Sequence, residues 1–191
     1  MKLMYTRGYT AVGVQEICAH AGVNKGSFYH FFPSKRALVL AVIDAYGQRV
    51  RDLWKDAITV NGSLLERMQR VFECVCDTQH DLAETNNQMY GCPIGNLALE
   101  LSCLDEGIRQ RLRETFSDWA DAIEHMLRLA IANGDLPAID TTTTAQTIVA
   151  YFEGVLMLAK IQNDPNVVKQ LAQRAVYLVE AAADIRRNAR P

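Results

Sequence analysis

Three observations predict an all-α chain, with an N-terminal helix-turn-helix domain and a C-terminal helical bundle. Apolar residues recur at helical spacing along most of the 191 residues, and no stretch alternates as a half-buried strand would. Residues 8–35, GYTAVGVQEICAHAGVNKGSFYHFFPSK, read as two short helices joined by a tight Ala-Gly-Val corner. Charge is also divided unevenly: residues 1–57 hold eight Lys/Arg against four Asp/Glu, whereas residues 58–191 hold twelve against eighteen. A basic head on an acidic body suits a molecule that meets phosphate with one end only.

Taken in order, Met1 to Arg7 read as the last turns of a first helix. That helix is expected to be truncated, with the native start upstream, because so small a unit has little core to spare. In the second helix Ile17 and Ala21 form an i, i+4 apolar face, with Val14 one turn earlier. Gly22 stands where the corner needs a residue that tolerates positive φ. Asn24 is expected to cap the third helix, on which Lys25, Ser27 and His30 line a polar face while Phe28 and Phe31 anchor the back. Pro33 ends it and Ser34 caps the next.

The fourth helix is predicted over 35–58 and stops near Val60-Asn61-Gly62, with Ser63 capping its successor. Helices are then predicted at 64–80, 94–103, 106–132 (closed by Asn133-Gly134), 141–160 and 166–187, with a polar loop at 84–88. The domain boundary implied is 57/58.

Several function classes are disfavoured. Five cysteines in no disulfide-like framework point to a reducing cytoplasm. Lys2, Thr6 and Arg7 leave no room for the apolar core of a signal peptide. The apolar run 37–43 stops at Asp44 and the run 148–159 contains Glu153, so no membrane partner is expected. Cys76 and His80 are an i, i+4 pair without a third metal ligand. Glu100 and Asp105 show no partner for acid–base work, and no phosphate-cradling glycine loop follows a strand. Neither an enzyme nor a cofactor or metal is expected.

The first quarter of the chain resembles the DNA-binding domain of the TetR family of bacterial one-component repressors. The matching residues are Gly8-Tyr9, Val14, Glu16-Ile17, Ala21-Gly22-Val23, Gly26, Phe28-Tyr29, Phe32 and Ser34-Lys35. Two positions depart from the family pattern: Val12, usually Thr or Ser, and Phe31, usually His or Tyr. The resemblance implies double-stranded operator DNA as partner. Lys25, Ser27 and His30 are then candidates for base edges, with Asn24 and Gly26 at the helix start. Tyr29 and Lys35 would hold phosphates as they do at matching family positions, and Thr10 and Gln15 would add backbone contacts. It also implies a homodimer through the last two helices, whose apolar faces carry Val149, Phe152, Val155, Leu156 and Ala159, and Leu171, Ala175, Leu178, Val179 and Ala182.

The segment 89–101 bears on an effector. Pro93 suits the first position of a helix, which makes Cys92 its N-cap and favours the thiolate at the positive end of the dipole. This block resembles a TetR branch that responds to electrophiles or oxidants such as quinones, aldehydes and hypochlorite. There a cysteine in a matching GC…GN segment is the sensor and a lysine on the eighth helix accompanies it, which implies Cys92 and Lys160. The family's other habit, a small-molecule pocket inside the bundle, implies Phe72, Met89, Tyr90, Leu97, Trp119, Tyr151 and Met157 as its lining. A buried cysteine and helically spaced aromatics are also ordinary core, so both readings stay open. The expected function is a repressor released from its operator by a small-molecule or thiol-reactive effector. The alternative is a small-molecule-binding helical dimer with weak or lost DNA binding.

Overall fold

Helix follows helix from end to end in the computed structural model, which describes residues 2–59, 62–172 and 174–188. In order these are α1 (Lys2–Arg7), α2 (Val14–Ala21), α3 (Lys25–Phe31), α4 (Lys35–Thr59), α5 (Leu64–Asn86), α6 (Pro93–Leu101), α7 (Glu106–Ala132), α8 (Thr141–Gln162), α9 (Asn166–Ala172) and α10 (Ala175–Asn188). No strand occurs among the described residues. Val60 and Asn61, part of the expected turn after α4, lie outside them. The chain gathers into two compact units, Met1–Gln48 with Pro93–Thr115, and Arg49–Cys92 with Phe116–Pro191. Both α4 and α7 are divided between the units.

The first unit buries Met4, Val12, Phe28, Ile43, Leu101 and Ile108. Enclosing one such side chain stabilises by roughly 1.5–3 kcal/mol relative to exposure. Gly22 ends α2 at φ 67, and Val23 N–H returns to the Cys18 carbonyl at 3.0 Å. The inner face of α2 differs from the expected one. Cys18 is its buried residue, an i, i+4 partner of half-buried Val14, whereas Ala21 at the corner is exposed. On α3 the Asn24 side chain accepts from Ser27 N–H at 2.8 Å, and Ser34 Oγ accepts from Ala37 N–H at 3.0 Å to start α4. Phe31 does not anchor α3: it is 73% exposed. Phe32 takes that place, with its ring 5.9 Å from Phe28, because a four-residue step keeps to one side of a helix better than three here. Farther along α4, a Cβ on Gly47 would sit 2.7 Å from Thr115 Cγ2, so glycine lets α4 and α7 meet.

In the second unit α5 opens with a reciprocal cap: Ser63 N–H donates to Glu66 Oε2 at 2.7 Å, and Glu66 N–H to Ser63 Oγ at 3.3 Å. The helix runs past the predicted stop at residue 80. Nothing in 81–86 breaks a helix, and Asn87 at φ 52 supplies the terminus instead. The loop predicted at 84–88 therefore starts later and runs from Asn87 to Cys92. Phe72 stacks on Phe152 at 4.9 Å and meets the Trp54 edge at 6.1 Å. The single helix predicted for 166–187 is two. Arg174 N–H bonds to the Leu171 carbonyl and Tyr177 N–H to the Arg174 carbonyl, a tightened i+3 pattern that breaks the i+4 ladder. The break lets α9 pack on α5 and α8 while α10 packs on α8. Among the described residues no helix is long and apolar enough to cross a membrane.

Candidate functional site

The surface of α3 carries chemistry on one side and core on the other. Phe28 is 5% exposed, whereas Lys25, Tyr29 and His30 all face solvent. Asn24 spends its side-chain oxygen on the cap, and a Cβ on Gly26 would lie only 3.1 Å from that oxygen. Ser27 is half-buried, and Gln15 is exposed on α2.

Two of the DNA candidates are engaged inside the chain. Lys35 Nζ donates to the Tyr9 and Val12 carbonyls, each at 2.8 Å, and lies 4.1 Å from the Tyr9 ring centre. Its ammonium has three protons, so one remains after those two bonds. Thr10 donates from both N–H (2.7 Å) and Oγ1 (2.6 Å) to Glu100 Oε1, and Tyr9 N–H reaches Glu100 Oε2 at 2.8 Å. Burial works to raise the Glu100 pKa, but the Thr10 hydroxyl, the two N–H groups and nearby Lys35 hold it below the usual carboxylate value. Gly8 at φ 81 makes room for this clamp, since a Cβ there would lie 3.2 Å from both carboxylate oxygens. Beside it, Arg36 grips Asp105 through Nε at 2.6 Å and Nη2 at 2.9 Å. The Arg36 hydrogen bond, followed by the Ile108 N–H, holds the Asp105 carboxyl down at about 2. Sequence reading left Glu100 and Asp105 without partners because those partners lie far away in the chain.

A second polar constellation lies in the other unit, around the loop from Asn87 to Cys92. Met89 N–H donates to Asn163 Oδ1 at 2.7 Å, and Gln79 Nε2 donates to the Gly91 carbonyl at 3.3 Å. Gly91 takes φ 72 and packs directly on α8: a Cβ there would sit 3.4 Å from the Leu156 carbonyl and from Lys160 Cδ. The stem of Lys160 thus lies beside the residue preceding Cys92. Cys92 itself is buried, and its thiol is hydrogen-bonded to the Glu153 carboxyl. Glu153 is half-buried as a residue, yet its carboxyl end is enclosed; burial pushes its pKa up to about 7 against the pull of the Cys92 hydrogen bond. The predicted thiol with a cationic neighbour therefore has an acid as its hydrogen-bond partner. The signal for Glu153 was its position inside the apolar run 148–159, where an acid is out of place.

Of the pocket candidates, Phe72, Met89, Tyr90 and Trp119 are buried in the second unit and Leu97 in the first. Tyr151 OH donates to the Leu171 carbonyl at 2.7 Å. Met157 is 50% exposed, because its position on α8 turns it outward with Leu158 and Ile161. The apolar faces assigned above to pairing are largely spent within the chain: Val155, Leu156, Ala159, Ala175 and Val179 are buried. Among the described residues the large exposed apolar side chains of these helices include Met157, Leu158, Ile161 and, on α10, Tyr177. Cys76 is half-buried, and burial pushes its thiol up to about 11. No group of three metal-ligating side chains occurs among the described residues.

A capped seven-residue helix presenting a polar face, set behind a glycine corner, defines a helix-turn-helix DNA-binding regulator. Residues 1–42 match the model for bacterial regulatory proteins of the tetR family, and residues 65–175 match the tetracyclin repressor-like C-terminal domain. The chain belongs to the TetR family of transcriptional regulators, which are not enzymes. It is 33% identical to a helix-turn-helix-type transcriptional regulator of Lactococcus lactis, over 88% of this chain and 83% of that protein. A TetR regulatory protein from Rhodobacter sphaeroides superposes with a TM-score of 0.79 at 28% identity, covering 91% of each chain. The Escherichia coli repressor NemR, in its reduced form, superposes with a TM-score of 0.73 at 26% identity, over 93% of this chain and 91% of that one.

Proposed function

We propose that this regulator is a cytoplasmic repressor that holds operator DNA as a homodimer and lets go when an effector reaches residues 58–191. The observation that carries the DNA reading is the division of α3 into a buried Phe28 side and an exposed Lys25, Tyr29 and His30 side. In this reading residues 1–57 are the DNA-binding domain with its connecting helix. Lys25, Ser27 and His30 meet base edges from a helix that Asn24 caps and Gly26 leaves uncrowded. Tyr29 and Gln15 contact the backbone, while Thr10 and Lys35 chiefly brace the head through the bonds described above. Pairing through α8 and α10 is supported by the outward apolar side chains Met157, Leu158, Ile161 and Tyr177.

The effector in this reading is thiol-reactive and acts at Cys92, with Lys160 beside the loop. Modification stabilises a conformer whose two heads no longer match half-sites about 34 Å apart. Moving such an equilibrium from 1:99 to 99:1 takes a differential affinity of about 5.5 kcal/mol. The test is a fluorescence-anisotropy titration against labelled DNA from the upstream intergenic region at two salt concentrations. Tight binding that weakens steeply with salt is the expected result; binding no tighter than to unrelated DNA overturns the reading.

A further inference from the structure

We infer that Glu153 is the proton acceptor of Cys92, and that with the Gln79 amide the pair forms a site for small, uncharged electrophiles bearing a hydrogen-bond donor. The inference rests on the reading of Cys92 as the effector-responsive residue and names the chemistry of that site.

Two side chains, Gln79 from α5 and Glu153 from α8, meet the Gly91–Cys92 segment. The Cys92 thiol is hydrogen-bonded to the Glu153 carboxyl. Gly91 rests on the Leu156 carbonyl, one turn along α8 from Glu153. From α5, Gln79 Nε2 donates to the Gly91 carbonyl. That carbonyl only accepts, so the amide cannot be turned round, and its other end is fixed as the acceptor Oε1. Gln79 is 1% exposed, and its Oε1 has no hydrogen-bond partner. Buried polar atoms are nearly always paired, so an orphaned acceptor on the side chain that holds the Gly91 carbonyl, one residue before Cys92, marks where a ligand's N–H or O–H belongs.

Charge decides what the thiol can do here. A thiolate formed by losing its proton to water would stand as a second anion beside the carboxylate. Passing the proton from Sγ to a Glu153 oxygen instead keeps the pair at one negative charge throughout. The same carboxylate, enclosed and hydrogen-bonded to the thiol, disfavours an anionic reagent at that sulfur. With an α,β-unsaturated carbonyl compound, the sulfur pair forms an S–C bond at the β-carbon and the π pair moves to the α-carbon. Glu153 then returns the proton to that α-carbon. The thiol has added across the double bond and nothing has been oxidised or reduced. The thioether has no S–H, so the Glu153 carboxylate loses its donor in an enclosed place. Cys92 is joined directly to Pro93, the first residue of α6, so this loss is felt at a helix terminus.

The experiment follows alkylation of Cys92 in the folded full chain, by peptide mass spectrometry near neutral pH, with iodoacetamide and iodoacetate as paired probes. Each forms the S–C bond as C–I breaks and iodide leaves; only iodoacetamide is neutral and carries N–H donors. Glu153→Gln should slow the iodoacetamide reaction by at least about tenfold, with partial recovery in Glu153→Asp. Gln79→Leu should narrow the preference for iodoacetamide, measured against the ratio in urea-unfolded protein. Equal or faster alkylation of folded Glu153→Gln overturns the inference, since that is what removing a merely repulsive neighbour would do. Operator release is read in parallel. Glu153-dependent alkylation without release sinks the sensor reading and leaves the proton acceptor standing. Release that is indifferent to Glu153 sinks the acceptor alone.

Discussion

Glu153 is a carboxyl group whose surroundings push it well away from its usual behaviour. Its pKa rises to about 7 on folding, chiefly through burial, while an unfolded glutamate titrates near 4.5. Between those values the unfolded chain has lost a proton that the folded chain keeps, so stability falls as pH rises through the window and levels off above it. The loss should be on the order of 2–3 kcal/mol. Urea unfolding at pH 5 and pH 8 should show the folded state weakening across this range in the parent and much less in Glu153→Gln. Parallel curves would remove Glu153 as the cause. Glu100 works in the opposite sense: its pKa is lowered, so its contribution is present above the unfolded value and is lost only in acid. Glu100→Ala strips an acceptor from the Tyr9 and Thr10 N–H groups and the Thr10 hydroxyl. Hydrogen exchange at the Tyr9 and Thr10 amides should then accelerate, and unfolding stability should drop by about 1–3 kcal/mol. Unchanged protection at those amides would contradict the clamp. Neither role was legible in the sequence, because each depends on a partner brought in by tertiary folding; Glu100 is 90 positions from Thr10.

At the level of elements, what local chemistry decides was readable and what packing decides was not. Gly22, Asn24, Ser34 and Ser63 were predicted as corner and caps, and each acts within a few residues of itself. Asn24→Ala should accordingly cost about 1 kcal/mol and loosen α3, seen as a lower melting temperature and weaker operator binding together. An unchanged melting temperature would mean that packing of Phe28 alone holds the helix. Phe31 against Phe32, the late end of α5 and the division of 166–188 into α9 and α10 all turn on which neighbours a helix meets. Spacing within one helix does not contain that information. The candidate site divides the same way: the face of α3 could be listed from the motif, whereas Gln79 and Glu153 join Cys92 only once α5, α8 and the loop are assembled.

Across the full chain, thiol-controlled repression needs a dimer with basic heads and a bundle that answers to a thiol. Large apolar side chains exposed on α8 and α10 include Met157, Leu158, Ile161 and Tyr177, with Ile161 72% exposed. Ile161→Glu places a charge on each side of a two-fold contact, so sedimentation velocity should show a shift toward monomer; an unchanged species would move the interface elsewhere. In the proposed mechanism operator occupancy is governed by the state of Cys92. This is tested most directly by titrating labelled operator DNA with the protein before and after iodoacetamide treatment, in the parent and in Cys92→Ser. Tight binding that alkylation abolishes in the parent and leaves intact in Cys92→Ser is the expected result. Operator binding that survives complete alkylation of Cys92 would contradict it.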